Sequence, residues 1–157
     1  MQGAKTTAAT ITAFMIMLAG SAHATGSLDC AIGDDNVDFA VTAVFSYSGN
    51  PGLTQVEGEL ALKKGDPAPS LEFLAIEKTD LVQQWIDGRD LRLQFYRETA
   101  DTAPAFGSVQ LTITTASDED GDLDFKGKYR LVISGTGREG GDDAARILEG
   151  NATCSAG

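Results

Sequence analysis

Beyond residue 24 the sequence has no histidine; the single one is His23. A chain without it lacks the side chain most used for proton transfer, nucleophile activation and zinc ligation. Ser-His-Asp and Cys-His catalysis are therefore excluded once the first 24 residues are gone. Cysteine is nearly as scarce. Cys30 and Cys154 are the two, and no C-x-x-C motif is present, so redox catalysis has no seat. No S-x-x-K motif occurs beyond residue 24 either. Tryptophan occurs once, at position 85. Positive charge is short: 12 Lys and Arg stand against 23 Asp and Glu.

What is present begins with an address. Lys5 is the only charge before an apolar run from Ala8 to Leu18, and small residues follow to Ala22-His23-Ala24. A short positive end, an apolar stretch and an A-x-A site form a secretory signal peptide, predicted over residues 1–24. The run is too short to span a bilayer, which takes about 20 apolar residues. Ser21 stands where a lipoprotein signal would carry cysteine. The sequence thus predicts a periplasmic or secreted protein, with no membrane insertion after signal removal. Residues 25–157 have the size of a single domain. Removing Lys5 leaves 11 bases against 23 acids, a charge of 11 − 23 = −12. Such a surface repels nucleic acid and attracts basic partners. In an oxidising compartment, Cys30 and Cys154 are expected to form one disulfide that ties the two ends of the domain.

Turn signals recur at short intervals, and runs of period two lie between them. Val37, Phe39, Val41, Ala43 and Phe45 alternate, as do Val56, Gly58, Leu60 and Leu62. Leu91, Leu93 and Phe95 form a further run, then Val109, Leu111 and Ile113, then Leu123, Phe125, Gly127, Tyr129, Leu131 and Ile133. Around Leu71 to Ile76 both faces are apolar; Leu71, Phe73 and Ala75 suggest one of them. Residues 145–154 read mainly as strand. This pattern predicts an all-β domain, an antiparallel sandwich or closed barrel of about seven to eight strands. Gly58, Gly127 and Gly150 interrupt strands and are expected to mark bulges or tight bends. One short helix is predicted over residues 80–87. Asp80 and Gln83 resemble a capping box, Leu81, Val82, Trp85 and Ile86 form a stripe, and Gly88 would terminate it.

The acidic run SDEDGDLDF (117–125) resembles a metal loop. A calcium loop needs oxygen ligands at positions 1, 3 and 5, Gly at 6 and Glu at 12. Starting at Asp118, positions 6 and 12 are Leu123 and Tyr129; starting at Asp120, they are Phe125 and Leu131. Both registers fail. Apolar residues are odd-numbered on both sides of the run, so odd must pair with odd in a hairpin. A three-residue loop, Glu119-Asp120-Gly121, satisfies this and pairs Ile113 with Gly127 and Leu111 with Tyr129. Asp118 and Asp122 remain weak candidates for a surface cation.

Gly135-Thr136-Gly137-Arg138-Glu139-Gly140 matches G-x-G-x-x-G but lacks the helix, second parallel strand and distal acid of a dinucleotide site. Paired carboxylates could serve a hydrolase, which would need two facing acids in a deep pocket. Trp85 is the one large surface for sugar stacking, and helical spacing assigns it to the core. The expectation is an exported, non-catalytic β-domain with a binding or envelope-structural role, without cofactor, catalytic residues or resident metal. The first alternative is an acidic inhibitor or adaptor that docks a basic envelope protein. The second is a carboxylate-based hydrolase.

Overall fold

The structure, a computed structural model, describes residues 26–46, 52–101, 103, 106–119, 123–135 and 145–157. The predicted signal peptide, Asp122 and most of the G-x-G-x-x-G segment lie outside these residues. The described chain is almost entirely strand. In order these are β1 (Gly26–Gly33), β2 (Val37–Ser46), β3 (Gly52–Leu62), β4 (Phe73–Glu77), β5 (Leu81–Asp87), β6 (Asp90–Glu98), β7 (Ser108–Ser117), β8 (Asp124–Ser134) and β9 (Arg146–Ala156). All lie in one sheet, ordered β4-β3-β2-β1-β9-β8-β7-β6-β5. Every pairing is antiparallel, and β1 and β9 join the two arms. The sheet curls into a nearly closed barrel whose edges are β4 and β5.

Following strand direction around the sheet shows what that seam is. From β1 through β2 and β3 to β4 the sense reverses three times, and from β1 through β9, β8, β7 and β6 to β5 it reverses five times. β4 and β5 therefore run in the same sense. They are one excursion of chain that changes partner midway: β4 bonds to β3 and β5 bonds to β6. A 3-10 turn, Lys78–Asp80, makes the switch. The Glu77 amide donates to Asp80 Oδ2 at 2.8 Å, and the Glu77 carboxylate accepts from the Asp80 amide. This interrupted strand raises the count from the expected seven or eight to nine.

The same segment corrects the helix prediction. Residues 81–87 are strand, and the capping box lies at Glu77 and Asp80. Val82, Trp85 and Ile86 are β-branched or aromatic and favour strand. Asp87 pairs with Asp90 around Gly88-Arg89, and Gly88 takes φ +55°. A two-residue loop with positive φ at its first position closes hairpins whose twist matches their strands. The apolar stripe of a short helix and the exposed edge of a hairpin are indistinguishable over seven residues.

The barrel interior is packed with the odd or even set of each strand. Leu60, Leu91, Leu93, Leu111, Ile113, Leu131 and Ile133 are almost wholly buried. Phe39 and Phe95 meet with ring centroids 5.3 Å apart. On β4 the inward pair is Leu74 and Ile76, while Phe73 faces out. Cys30 and Cys154 pair directly across β1 and β9 and form the disulfide inside the barrel, with Cα atoms 4.0 Å apart. Glycine permits the curl at two inward positions. A Cβ on Gly127 would strike the main chain at Thr114 and Thr115; one on Gly58 would strike Ala40 and Val41.

The β7–β8 hairpin keeps the expected parity and shifts the register. Ile113 pairs with Tyr129, Thr115 with Gly127 and Ser117 with Phe125. Each partner lies two residues beyond the expected one, so the connection spans 118–123 and is longer than three residues. Parity fixes which face a strand presents but leaves shifts of two free. The ends decide: the Ser117 amide donates to Arg89 O, and Leu123 O accepts from the Ala156 amide, at 2.9 and 2.8 Å.

Candidate functional site on the outer face of β5 to β8

Outward side chains follow from register alone. One row across the sheet reads Trp85, Arg92, Thr114, Lys128, Asn151. The next reads Gln83, Gln94, Thr112, Arg130, Glu149. Thr112, Thr114 and Ala116 on β7 are short, while their neighbours on β6 and β8 are long. The result is a trough along β7, with Arg92 and Gln94 on one wall and Lys128 and Arg130 on the other. Two hollows lie along this face and share Thr112, one over β5 and β6 and the other over β7 to β9. One of about 630 Å³ is lined by Val82, Gln83, Trp85, Arg92, Gln94 and Thr112. The other, about 530 Å³, lies over Thr112, Thr114, Lys128 and Arg130.

Trp85 is 58% exposed and stands directly opposite Arg92. An indole in that position offers a flat apolar face, and the guanidinium a planar set of donors. Gln83, Gln94 and the two threonines supply both donors and acceptors. Arg130 Nε lies 3.5 Å from Glu149, a pair with both side chains more than half exposed and hence loosely held. Lys128 Nζ donates to Asn151 Oδ1 at 2.6 Å. Arg92, Lys128 and Arg130 bring three bases to one face of a chain whose formal charge is −11, and the next row places Lys126 in line with Asp90 and Asp87.

A second outward row, starting on the same strand β8, is acidic. Asp124, Ser155, Asp29, Thr42, Glu57 and Glu77 form one outward row. A groove of about 630 Å³ lies along it, with Ala31 and Ala40 on its floor and Glu59 beside them. Thr42 Oγ1 donates to Asp29 Oδ1 at 2.6 Å. Acids thus run along the outward row from Asp124 on β8 to Glu77 on β4, whereas around β7 the bases Arg92, Lys128 and Arg130 stand among the acids Asp90 and Glu149.

Two further polar clusters are structural by their geometry. Arg97 on β6 donates through Nε and Nη2 to both oxygens of Asp80, each at 2.5 Å, and through Nη2 to Ala75 O on β4 at 3.0 Å. The Asp80 hydrogen bonds, against a smaller opposing effect of burial, raise the Arg97 pKa above its ordinary value. Asp80 is the buried acid among the described residues. Near the β1–β2 turn, Tyr129 reaches over Gly150, its pairing partner, and donates to Asp34 Oδ2 at 2.7 Å. Burial first, and then that bond, push the tyrosine up to about 12. Burial raises Asp34, but Tyr129, the amides of Asn36 and Val37, and Lys63 outweigh it and hold the carboxyl below its ordinary value.

Asp118, one of the two cation candidates, is exposed just past β7; Asp122 lies outside the described residues. Among the described residues no group of three or more His, Cys, Asp or Glu side chains could hold a metal. The register that gathers Arg92, Lys128 and Arg130 was beyond the sequence reading, because it depends on the order of strands. The missed signal was Arg92-Leu93-Gln94 and Lys126-Gly127-Lys128-Tyr129-Arg130, alternating runs whose outward members are polar or basic. No protein-family model, characterised protein or solved structure matches this chain.

Proposed function

We propose that the chain is an exported, non-catalytic β-domain that works by binding, and that it binds through the trough along β7. The carrying observation is Trp85: the sole tryptophan is exposed, opposite Arg92, at the rim of a concave polar surface. A large aromatic left in water beside hydrogen-bonding groups is a feature of recognition surfaces. Export is supported by the signal-like N-terminus and the Cys30–Cys154 disulfide, which suits an oxidising compartment. The non-catalytic reading rests on the absence of histidine beyond residue 24.

The single tryptophan is also the reporter. The protein is titrated separately with envelope polysaccharide, lipid vesicles and soluble envelope proteins while Trp85 emission is followed. One class is expected to shift the emission, and retention on an immobilised sample of that class should fall in Trp85→Ala. An emission unchanged by every class, or equal retention of the variant, contradicts the reading.

A second reading has its own observation. The acidic row at Asp29, Glu57, Glu77 and Asp124 beside a groove favours an inhibitor or adaptor that docks a basic envelope protein. Electrostatic docking of that kind weakens with salt. Capture of such a protein that is insensitive to salt and to Glu57→Gln with Glu59→Gln counts against it.

A further inference from the structure

We infer that the trough along β7 takes a carboxylate-bearing polysaccharide in extended form. The inference rests on the reading of this face as the binding site and adds the chemistry of the ligand. Three observations point to it together.

The first is the pairing of Trp85 with Arg92 across β5 and β6. The C–H face of a pyranose ring is apolar and packs on an indole. A carboxylate on the same ring matches the fork of a guanidinium, which donates two parallel hydrogen bonds to its oxygens. Few ligands present both features within one residue of a polymer; a uronic acid does.

The second is the floor and walls. Thr112 and Thr114 expose hydroxyls, and Gln83 and Gln94 expose amides, so the surface is rich in groups that both donate and accept. Sugar hydroxyls require that combination. From Thr112 to Ala116 the trough runs about 13 Å at strand rise. That length suits an extended chain better than a single small molecule.

The third is charge. Arg92, Lys128 and Arg130 lie on this face with Glu149 beside Arg130, while Lys126 lines the groove of the acidic row, which starts at Asp124 on the same strand. In a chain of net charge −11, three bases along one concave surface offer an anion a local place to sit. Nucleic acid is the competing polyanion. Single strands are held by aromatic side chains for successive bases, and this face has one indole. Nucleic acid also carries its charge densely, so the acidic remainder of the barrel repels it more.

Calorimetry on the chain from Thr25 to Gly157 tests this, with polygalacturonate, neutral dextran, dextran sulfate and a single-stranded oligonucleotide as probes. Polygalacturonate should bind, and both Trp85→Ala and Arg92→Gln should weaken it by about tenfold. Lys128→Gln with Arg130→Gln should weaken it further and flatten its salt dependence. Equal binding of dextran would overturn the carboxylate requirement. Binding of dextran sulfate or oligonucleotide at equal strength, or polygalacturonate binding indifferent to Trp85→Ala, would reduce the face to an ion exchanger and overturn the inference. Absence of binding to every probe would overturn it as well. The broader reading is then judged separately by whether envelope proteins or vesicles shift Trp85 emission. Circular dichroism of each variant, expected to match the parent, separates lost binding from lost folding.

Discussion

Arg97 on β6 donates to the main-chain oxygen of Ala75 on β4, 3.0 Å away, across the break in the sheet. The same guanidinium holds Asp80 in the turn that separates β4 from β5. Farther along, Gln84 Oε1 on β5 accepts from the Leu53 amide on β3 at 2.7 Å. Side chains thus bridge the place where the ladder of main-chain bonds stops, and they hold β5, with Trp85, in position.

Removing Arg97 should therefore open the seam. Arg97→Ala leaves the buried Asp80 carboxylate without its bidentate partner, which costs about 3 kcal/mol. Arg97→Lys keeps the charge, loses the fork, and should fall between the two. Urea unfolding gives the stabilities, and hydrogen exchange should show the β4 and β5 amides exchanging faster in both variants. Equal stability of the alanine variant would contradict this role for Arg97.

Tyr129→Phe should cost about 1–2 kcal/mol at neutral pH by leaving Asp34 without its hydroxyl donor. Its pH dependence follows from the two shifts. Asp34 is held below its ordinary 3.8, so its contribution is present above that value and is lost as pH falls through the lower folded value. Tyr129 is raised from 10.0 to about 12, so its contribution is present below pH 10 and is lost as pH rises through about 12. The stability gap between parent and variant should be flat between these limits and narrow beyond both. A gap that does not change with pH would refute the linkage.

A strand glycine and a turn glycine should behave differently. Gly127→Ala drives a Cβ into the main chain at Thr114 and Thr115 and should destabilise by about 2 kcal/mol or more. Gly88 has open space around it but φ +55°, so Gly88→Asn meets no clash and should cost only the strain of that backbone, about 1 kcal/mol. Denaturant midpoints measured on both variants check the contrast. Similar losses at the two sites would mean that close strand approach at Gly127 does not limit the barrel.

Replacing Cys30 and Cys154 together by serine releases a cross-link between residues 124 apart. The chain-entropy model places the loss near 4–5 kcal/mol. The double variant should unfold at markedly lower urea than the parent, and dithiothreitol should bring the parent to a similar midpoint. An unchanged midpoint after verified reduction would contradict a stabilising role.

Much of this architecture is legible in the sequence. Period-two runs at Val37–Phe45, Leu91–Phe95 and Val109–Ile113 named the buried faces, because one-sided burial leaves a local trace. The positions of Cys30 and Cys154 named the disulfide. Residues 81–87 misled because β5 is an edge strand exposed on both faces beyond Leu81, so no alternation records its conformation. That error propagated: read as helix, Trp85 belonged to the core, and its fitness for sugar stacking was set aside. The trough was hidden for a different reason. Arg92, Thr114 and Lys128 are neighbours only through strand order, and no local pattern encodes which strands adjoin.

The most direct test of the central claim is an amide NMR map of the protein with and without a soluble galacturonate oligomer. The account predicts that the Trp85 indole signal and the amides of β5, β6, β7 and β8 around Arg92, Thr114 and Lys128 shift together, while those at Asp29, Thr42 and Glu57 stay in place. Shifts confined to the acidic β1–β3 face would contradict it.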